Sequence, residues 1–285
     1  MSKHLGVLYH PKREEARAVA HQAAEVLEKH GASVTLLPAW DDEVISASLP
    51  DWQLVVTCGG DGTILRTTRL AAPLGVPQLG INVGRLGFLA ELQPDDLSEK
   101  LPRYLNGEYW IEKRSMLRAT LLFNQCNQTV AAEPLAGPGQ SYDALNEALV
   151  ARGALPRVIR VKVRIDGTEY ATYSGDGVMV TTPTGSTAYS LAAGGPVVAP
   201  HLGNLILTAV CPHLARAVPL VLGSEATIRL ELLGSHPGIL SIDGQVDVSV
   251  SQGDVVEVSA SPYVARFVRA RSSGYFYELI GRVLR

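Results

Sequence analysis

The sequence predicts two domains, an α/β domain followed by a β-rich domain. Before about residue 110, short apolar runs alternate with segments of helical periodicity. After that point, apolar and polar residues alternate one by one, as they do in half-buried strands. The length of 285 residues also suits two domains. We therefore expect residues 1–110 to form one domain and residues 111–270 to form the other.

The first domain alternates between predicted strands and helices. The strands are predicted at residues 5–9, 34–37, 53–57 and 78–81. The helices are predicted at residues 13–30, with Gly31 as a C-terminal cap, and from the glycine-rich turn at residues 59–62 to about residue 70. This alternation favours a parallel sheet with helices on its faces.

The second domain carries the pattern of antiparallel strands. In RVIRVKVRIDG, residues 157–167, aliphatic side chains alternate with charged ones and an Asp-Gly turn follows. Residues 130–144 are rich in glycine, proline and alanine, so we expect a mobile loop there. The tail SGYFYELIGRVLR returns to a helical pattern.

Composition excludes several classes of protein. A net charge of −3 lacks the basic excess of a nucleic-acid-binding protein. Three dispersed cysteines without a CxxC pair indicate neither a zinc site nor a disulfide framework, and we expect buried, reduced thiols. No signal peptide opens the chain, and no apolar run is long enough to cross a bilayer. We expect a cytoplasmic protein without a membrane partner.

The segment TCGGDGTILR, residues 57–66, places glycines and one aspartate after a buried strand. Glycines there allow a sharp turn with positive φ, and they expose N–H groups that suit a phosphate. Asp61 would repel a phosphate, so a metal ion or a hydroxyl group should meet the phosphate beside it. The structural alternative is a tight turn in which Asp61 caps the helix. The spacing matches neither a P-loop nor the dinucleotide-binding glycine fingerprint.

Two further polar groups are candidates for ligand binding. Five hydroxyl side chains lie within residues 181–187. They can start a helix capped by Ser186 or Thr187, or they can line a site for a nucleotide. Asn146 and Glu147 interrupt an apolar strand pattern. They can bind the two hydroxyl groups of a ribose, or they can form a loop end that faces water.

Taken together, these motifs resemble those of the NAD kinases, which phosphorylate the 2′-hydroxyl of the adenosine ribose of NAD. The likeness spans nearly the whole chain and rests on GGDGT (59–63), GINVGRLGFLAEL (80–92), NE (146–147), DGVMVTTPTGSTAYSLAAGGPVVAP (176–200), CPH (211–213) and SIDGQ (241–245). GGDGT is shared with diacylglycerol and sphingosine kinases, whereas the long TPTGSTAY segment is much more specific to NAD kinases.

The resemblance implies a role for each matching residue. Asp61 matches the aspartate that takes the proton from the 2′-hydroxyl. The phosphate-side turn matches at Gly59, Gly60, Gly62 and Thr63. The NAD-binding positions are Phe88 beside the adenine, Asn146 and Glu147 at the hydroxyls and polar edges of the ligand, Asp176 on the nicotinamide side, and Thr184, Thr187, Ala188 and Tyr189 around adenine and ribose.

The resemblance also implies a fold, cofactors and partners. The family combines a Rossmann-like α/β domain with a β-sandwich-like domain that supplies most of the NAD pocket. The C-terminal segment returns to the first domain, which would join residues 271–285 to residues 1–110. The implied ligands are NAD and ATP, with polyphosphate as the alternative donor and Mg²⁺ or another divalent cation as cofactor. Homodimers or homotetramers with sites near subunit interfaces are implied.

Three departures from the family pattern stand out. Ser174 occupies a position where members strict for NAD⁺ often have arginine, which favours acceptance of NADH. Val218 stands where many members have arginine, so that contact is absent or moves to Arg216. The segment 130–144 is longer than usual. Two alternative functions remain, a lipid kinase that shares GGDGT and a non-catalytic NAD(P)-binding regulator, and the intact Asp61 argues against the latter.

Overall fold

The structure, a computed structural model, describes residues 3–84, 87–123, 139–153, 157–213 and 217–283. The chain divides into two compact units, which we call unit 1 (Met1–Arg114 with Tyr263–Arg285) and unit 2 (Ser115–Pro262). Unit 1 is α/β and unit 2 is β-rich, which confirms the predicted fold class. The domain limits at residues 110 and 270 stay a prediction.

The described residues form the following elements. In chain order the strands are β1 His4–Tyr9, β2 Ser33–Pro38, β3 Leu54–Gly59, β4 Gln78–Asn82, β5 Trp110–Leu122, β6 Gln140–Ala144, β7 Glu147–Arg152, β8 Ile159–Ile165, β9 Thr168–Gly175, β10 Gly177–Thr181, β11 Leu205–Val210, β12 Leu220–Leu222, β13 Ile228–Leu233, β14 Gly238–Ile242, β15 Val246–Val250 and β16 Val255–Arg269. The α-helices are α1 Glu14–Lys29, α2 Asp42–Ser48, α3 Asp61–Ala71, α4 Leu97–Leu105, α5 Tyr189–Ala192 and α6 Tyr275–Val283.

Unit 1 is built on a parallel sheet in the order β2-β1-β3-β4. The last residues of β16 extend it, with Phe267 beside Gln78 in parallel. Strand β3 is buried along its whole length, as expected for a central strand covered on both faces. Helix α1 buries Ala20, Ala23 and Leu27 in the core that covers one face. The predicted strands and helices of this region are confirmed.

The carboxyl ends of β1, β3 and β4 meet at one edge of this sheet. Strand β1 pairs with β2 on one side and with β3 on the other, so the chain order reverses between β1 and β3. In open α/β sheets, ligands bind outside the carboxyl ends of the strands at such a reversal. The glycine-rich turn follows β3 directly and therefore lies at this edge.

Unit 2 consists of antiparallel strands. Six of them form one sheet in the order β12-β11-β10-β7-β14-β15. The other sheet contains β9, β8, β13 and the first part of β16, with β5 pairing to β16 and to β6. Aliphatic side chains from both sheets share one core, including Val161, Val180 and Leu240. This is the predicted sandwich-like arrangement.

The hairpin β8–β9 confirms the predicted Asp-Gly turn. Asp166 has φ 50° and Gly167 has φ 81°, the positive values that a two-residue type I′ turn requires at both central positions. The aliphatic face of β8 is buried: Ile159, Val161 and Val163 are all at most 3% exposed.

The predicted loop at 130–144 is wrong at its C-terminal end. Residues 140–144 form β6, which pairs antiparallel with β5 from Leu117 to Leu121. Residues 130–138 lie outside the described residues. Helix α2 was not predicted, because its seven residues are too few to display helical periodicity. The helical tail is confirmed by α6.

Candidate functional site

Gly59 in the glycine-rich turn is required for close packing. Gly60 is the N-cap of α3 with φ −87°, and none of the glycines in GGDGT adopts positive φ, contrary to the sequence expectation. A Cβ atom on Gly59 would lie 2.5 Å from Oγ1 of Thr63, which is itself buried. Glycine therefore stands here because β3 and the first turn of α3 approach too closely for a side chain.

Asp61 does not cap its helix. Its carboxylate accepts hydrogen bonds from the backbone N–H of Phe88 at 2.9 Å and of Leu89 at 3.3 Å. These residues follow β4, so the loop after one strand holds the carboxylate that follows another. Gly87 completes the contact, because a Cβ atom there would lie 2.1 Å from Oδ1 of Asp61. The carboxylate is thereby fixed at the carboxyl edge of the sheet.

In unit 2, the backbone at Asn146 and Glu147 is held by Asp243. The Asp243 carboxylate accepts hydrogen bonds from the N–H groups of Leu145 at 3.1 Å, Asn146 at 2.8 Å and Glu147 at 3.1 Å. Asp243 follows β14, has φ 51° and is buried. Sequence reasoning gave Asp243 no role. The available signal was an Asp-Gly pair directly after a strand in SIDGQ.

The Glu147 carboxylate is buried, and one of its oxygens lacks a hydrogen-bond partner among the described residues. Glu147 is 8% exposed, and its Oε2 atom has no hydrogen-bond partner among the described residues. Burial first, and the charge of Asp243 second, raise the pKa of Glu147 to about 7. Thr181 lies directly opposite Glu147 in the β7–β10 pair, and opposite residues have Cβ atoms about 5 Å apart.

The hydroxyl-rich segment 181–187 divides into two groups. Thr182 donates to the carbonyl of Leu145, while Ser186 donates to Pro183 O at 2.6 Å and accepts from Val198 N at 3.0 Å. These two hydroxyls hold the segment in place. The Oγ1 atoms of Thr181 and Thr184 are buried without a partner among the described residues.

Of the two alternatives for this segment, a helix capped by Ser186 or Thr187 is wrong. Ser186 and Thr187 lie within a 3₁₀ turn, and the N-cap of α5 is Ala188. Ala188 and Tyr189 are exposed. Gly185 lies against Asn146, because a Cβ atom there would lie 2.4 Å from the Asn146 carbonyl oxygen. The structure thus brings Asn146, Glu147 and residues 181–187 together.

Orphaned buried polar atoms indicate a place for a polar ligand. Buried polar groups in native proteins almost always have partners, because a lost hydrogen bond costs about 1–3 kcal/mol. Glu147, Thr181 and Thr184 together offer a carboxyl group and two hydroxyl groups. This combination can donate to and accept from vicinal hydroxyls or the edge of a base. We call this group of residues the polar cradle of unit 2.

Asp176 lies apart from the polar cradle. It precedes β10, whereas Thr181 ends that strand, so about 16 Å separate them at the rise of a β-strand. The Asp176 carboxylate accepts from Nε of Arg152 at 2.8 Å. Ser174 is half-buried and its carbonyl accepts from His213 N at 2.7 Å.

The described residues form neither a metal-binding cluster nor a membrane-spanning helix. Within the described ranges, no group of three or more His, Cys, Asp or Glu side chains is arranged to hold a metal ion. Of the helices that the structure describes, none has the length and apolar character needed to span a bilayer.

Family models match both parts of the chain. The model described as ATP-NAD kinase N-terminal domain matches residues 16–109, and the model described as ATP-NAD kinase C-terminal domain matches residues 145–270. A NAD kinase of Dehalococcoides mccartyi is 39% identical over 278 residues, which cover 98% of this chain and 94% of the relative. A NAD kinase of Chloroflexus aurantiacus is 35% identical over 286 residues, covering 100% of both chains.

Solved structures share the fold. The structure of an NAD kinase from Archaeoglobus fulgidus in complex with ATP has a TM-score of 0.75 and 26% identity, covering 99% of this chain and 98% of that chain. The yeast NADH kinase complexed with NADH has a TM-score of 0.85 and 23% identity, covering 99% and 87%. Each of these relatives is named as a kinase of NAD or NADH. The chain belongs to the NAD kinase family.

Proposed function

We propose that this protein phosphorylates the 2′-hydroxyl of the adenosine ribose of NAD with ATP, giving NADP and ADP. The observation that carries the proposal is the fixed carboxylate of Asp61, which accepts two backbone N–H groups at the carboxyl edge of the unit 1 sheet. Family membership over nearly the whole chain supports the same reaction.

Asp61 is the proposed general base. Two N–H donors occupy one lone pair on each of its oxygens, and lone pairs remain for a substrate hydroxyl. Transfer of the hydroxyl proton to the carboxylate makes the ribose oxygen a better nucleophile toward the γ-phosphorus of ATP. Fixing the base in advance lowers the entropy that the reaction must lose.

The phosphate-side turn comprises Gly59, Gly60, Gly62 and Thr63. It opens α3, whose 11 residues direct a positive dipole end toward the turn. That end favours the phosphates of ATP, and the glycine backbone allows their close approach. We propose ATP as the donor, with polyphosphate as the alternative to be tested.

The acceptor is proposed to be bound mainly by unit 2. Glu147 and Thr184 in the polar cradle offer groups for the ribose hydroxyls and the base edge. The remaining proposed NAD-binding positions are Phe88, Asn146, Asp176, Thr187, Ala188 and Tyr189. The exposed ring of Tyr189 is suited to stacking on a base or ribose. Distant Asp176 suits the other end of an extended dinucleotide.

Mg²⁺ is the proposed cofactor, arriving with the triphosphate. In phosphoryl-transfer sites this ion is bound by one or two carboxylates together with substrate phosphates, and the donor set at Asp61 fits that arrangement. When bound, Mg²⁺ neutralises charge that develops on the transferred phosphate. The residues of this chain then orient the acceptor and accept its proton.

A homo-oligomer, a dimer or tetramer, is also proposed from the family resemblance, and light scattering during gel filtration would measure it. The proposed compartment is the cytoplasm, because free thiols such as Cys58 and Cys211 persist under reducing conditions. Cys58 is buried as predicted, whereas Cys211 is exposed, so the expectation of buried thiols is wrong for that residue.

The test is an endpoint assay with NAD⁺, ATP and Mg²⁺, in which an NADP-specific dehydrogenase detects the product. Parallel reactions replace NAD⁺ by NADH, and ATP by polyphosphate. Formation of NADP⁺ supports the proposal, and the NADH reaction tests the effect of small Ser174. Binding of NAD without product would favour the regulator, and phosphorylation of a lipid instead of NAD would favour the lipid kinase.

A further inference from the structure

We propose that Arg269 is a positioning residue for Asp61, acting through the backbone of residues 87–91. This inference rests on the proposed function, in which Asp61 is the base. The path has two links: Arg269 holds the segment, and the segment holds the carboxylate. Both links lie within unit 1.

The first link joins Arg269 to Leu89. Nη1 of Arg269 donates to the Leu89 carbonyl at 2.9 Å, while the N–H of Leu89 donates to Asp61. The two ends of one short backbone segment therefore bind the arginine and the proposed base. The Arg269 side chain is 8% exposed, so water competes little for this contact.

Arg269 is itself anchored by two carboxylates, those of buried Glu91 and partly buried Glu112. Its Nε donates to Glu112 at 2.8 Å, and its Nη1 lies 3.4 Å from Glu91. Its guanidinium lies 5.1 Å from the ring centroid of Phe267. A planar guanidinium can satisfy a carbonyl and two carboxylates at once, which an ammonium group cannot reproduce from the same position.

Glu91 ties the segment to the chain that follows β16. It is 2% exposed and accepts from the N–H groups of Ala270 at 2.9 Å and Arg271 at 3.1 Å. The Tyr104 hydroxyl donates to it at 3.3 Å. Glu91 N in turn donates to Gly80 O in β4 at 2.8 Å. The segment is therefore held both by β4 and by the residues at the end of β16.

The charges of this cluster extend to Asp61. Arg114 is buried and its Nη2 lies 3.1 Å from Glu112. Burial lowers the pKa of Arg114 to about 10, and the charges of Glu112 and Asp61 act against that lowering. Burial alone would raise the pKa of Glu112, but the charges of Arg114 and Arg269 outweigh it and lower that pKa. Asp61 thus belongs to one electrostatic unit with the arginines.

The test compares Arg269→Lys with wild type in the full chain. Lysine keeps a positive charge beside the carboxylates of Glu91 and Glu112, so this variant is expected to fold. We expect kcat to fall about 10-fold or more, since a 1 Å misplacement can cost about 10²-fold, with KM for NAD changed less than about twofold. The matched control is Arg266→Lys, an exposed residue of the same strand that donates to Gly75 O.

A double-variant cycle separates positioning from general structural damage. If Arg269 acts through Asp61, adding Arg269→Lys to Asp61→Asn should lower kcat no further. Multiplying losses in the double variant, or an unchanged kcat in Arg269→Lys, would overturn the inference. Failure of the proposed function would look different. If Asp61→Asn kept wild-type turnover, Asp61 would not be the base, while the observed contacts of Arg269 would still stand.

Hydrogen exchange gives a readout that needs no activity. The amides of Phe88 and Leu89 donate to Asp61, so Arg269→Lys should make them exchange faster, while amides of α1 stay unchanged. Unchanged exchange at both amides would overturn the first link. Faster exchange with unchanged kcat would overturn the second link, that the segment holds Asp61 in the position that turnover requires.

Discussion

The Asp243 carboxylate accepts a 2.8 Å hydrogen bond from the N–H of Asn146, although the two residues are 97 positions apart. The same carboxylate accepts the N–H groups of Leu145 and Glu147. One buried side chain therefore sets the path of the backbone that presents two proposed NAD-binding residues.

Asp243→Asn should weaken NAD binding. The amide keeps one acceptor oxygen and turns the other into a donor that faces backbone N–H groups, so the Asn146–Glu147 turn should shift. We expect KM for NAD to rise about 10-fold, the effect of losing roughly 1.4 kcal/mol of binding. The measurement is initial rate against NAD concentration. Asp247→Asn, an exposed change in the adjacent strand, is the control and should leave KM unchanged.

Glu147 should make stability depend on pH. Its folded pKa of about 7 lies above its unfolded value, so its contribution to stability is fully present below about pH 4.3 and is lost as pH rises through about 7. Glu147→Gln removes this loss, which amounts to at most roughly 4 kcal/mol. Melting temperatures from pH 5 to pH 8 should fall more steeply for wild type than for the variant. Parallel curves would contradict the prediction.

Asp61→Asn should lower kcat by about 10²-fold or more, the range for loss of a general base. KM for NAD should change less than kcat, because the amide still accepts one of the two N–H groups that the carboxylate accepts. Steady-state kinetics measure both constants. Asp51→Asn, in an exposed position, serves as the control. Near-normal turnover in Asp61→Asn would show that another group accepts the proton.

Gly87→Ala should disturb the base without touching it chemically. A Cβ atom would lie 2.1 Å from Oδ1 of Asp61, so the carboxylate or the segment must move. We expect kcat to fall about 10-fold or more with KM for NAD nearly unchanged. Gly281→Ala in α6 adds a methyl group that meets nothing within 4 Å and should be silent. Equal kinetics for both variants would contradict a tight fit at Gly87.

Much of the fold could be predicted from the sequence, because its strands and helices are marked by local periodicity. Helices α2 and α4 and strand β6 were not predicted. Helix α2 is short, α4 is short and contains Pro102, and β6 follows a glycine- and proline-rich stretch. Local pattern also gave the wrong reason for the glycines of the turn. Gly59 is needed for the close approach to Thr63, a property of packing that reasoning from φ alone does not contain.

The candidate site was predictable residue by residue only through resemblance. Pattern alone placed Asp61 at a phosphate turn, but its partners at Phe88 and Leu89 are 27 and 28 positions away. It likewise left the hydroxyls of 181–187 undecided, because their roles depend on contacts with distant Leu145 and Val198. Asp243 acts through backbone N–H groups, which leave no mark in the sequence of Asn146 and Glu147.

The anchoring of Asp61 has a consequence for how the protein is made. Unit 1 is closed by residues 263–285, which leave the ribosome after all of unit 2. A nascent chain can therefore display its complete glycine turn while Arg269, the group that steadies the neighbouring segment, has yet to be translated. Unit 1 therefore cannot be completed until residues 263–285 have been translated, so the protein becomes active late in synthesis and not one domain at a time.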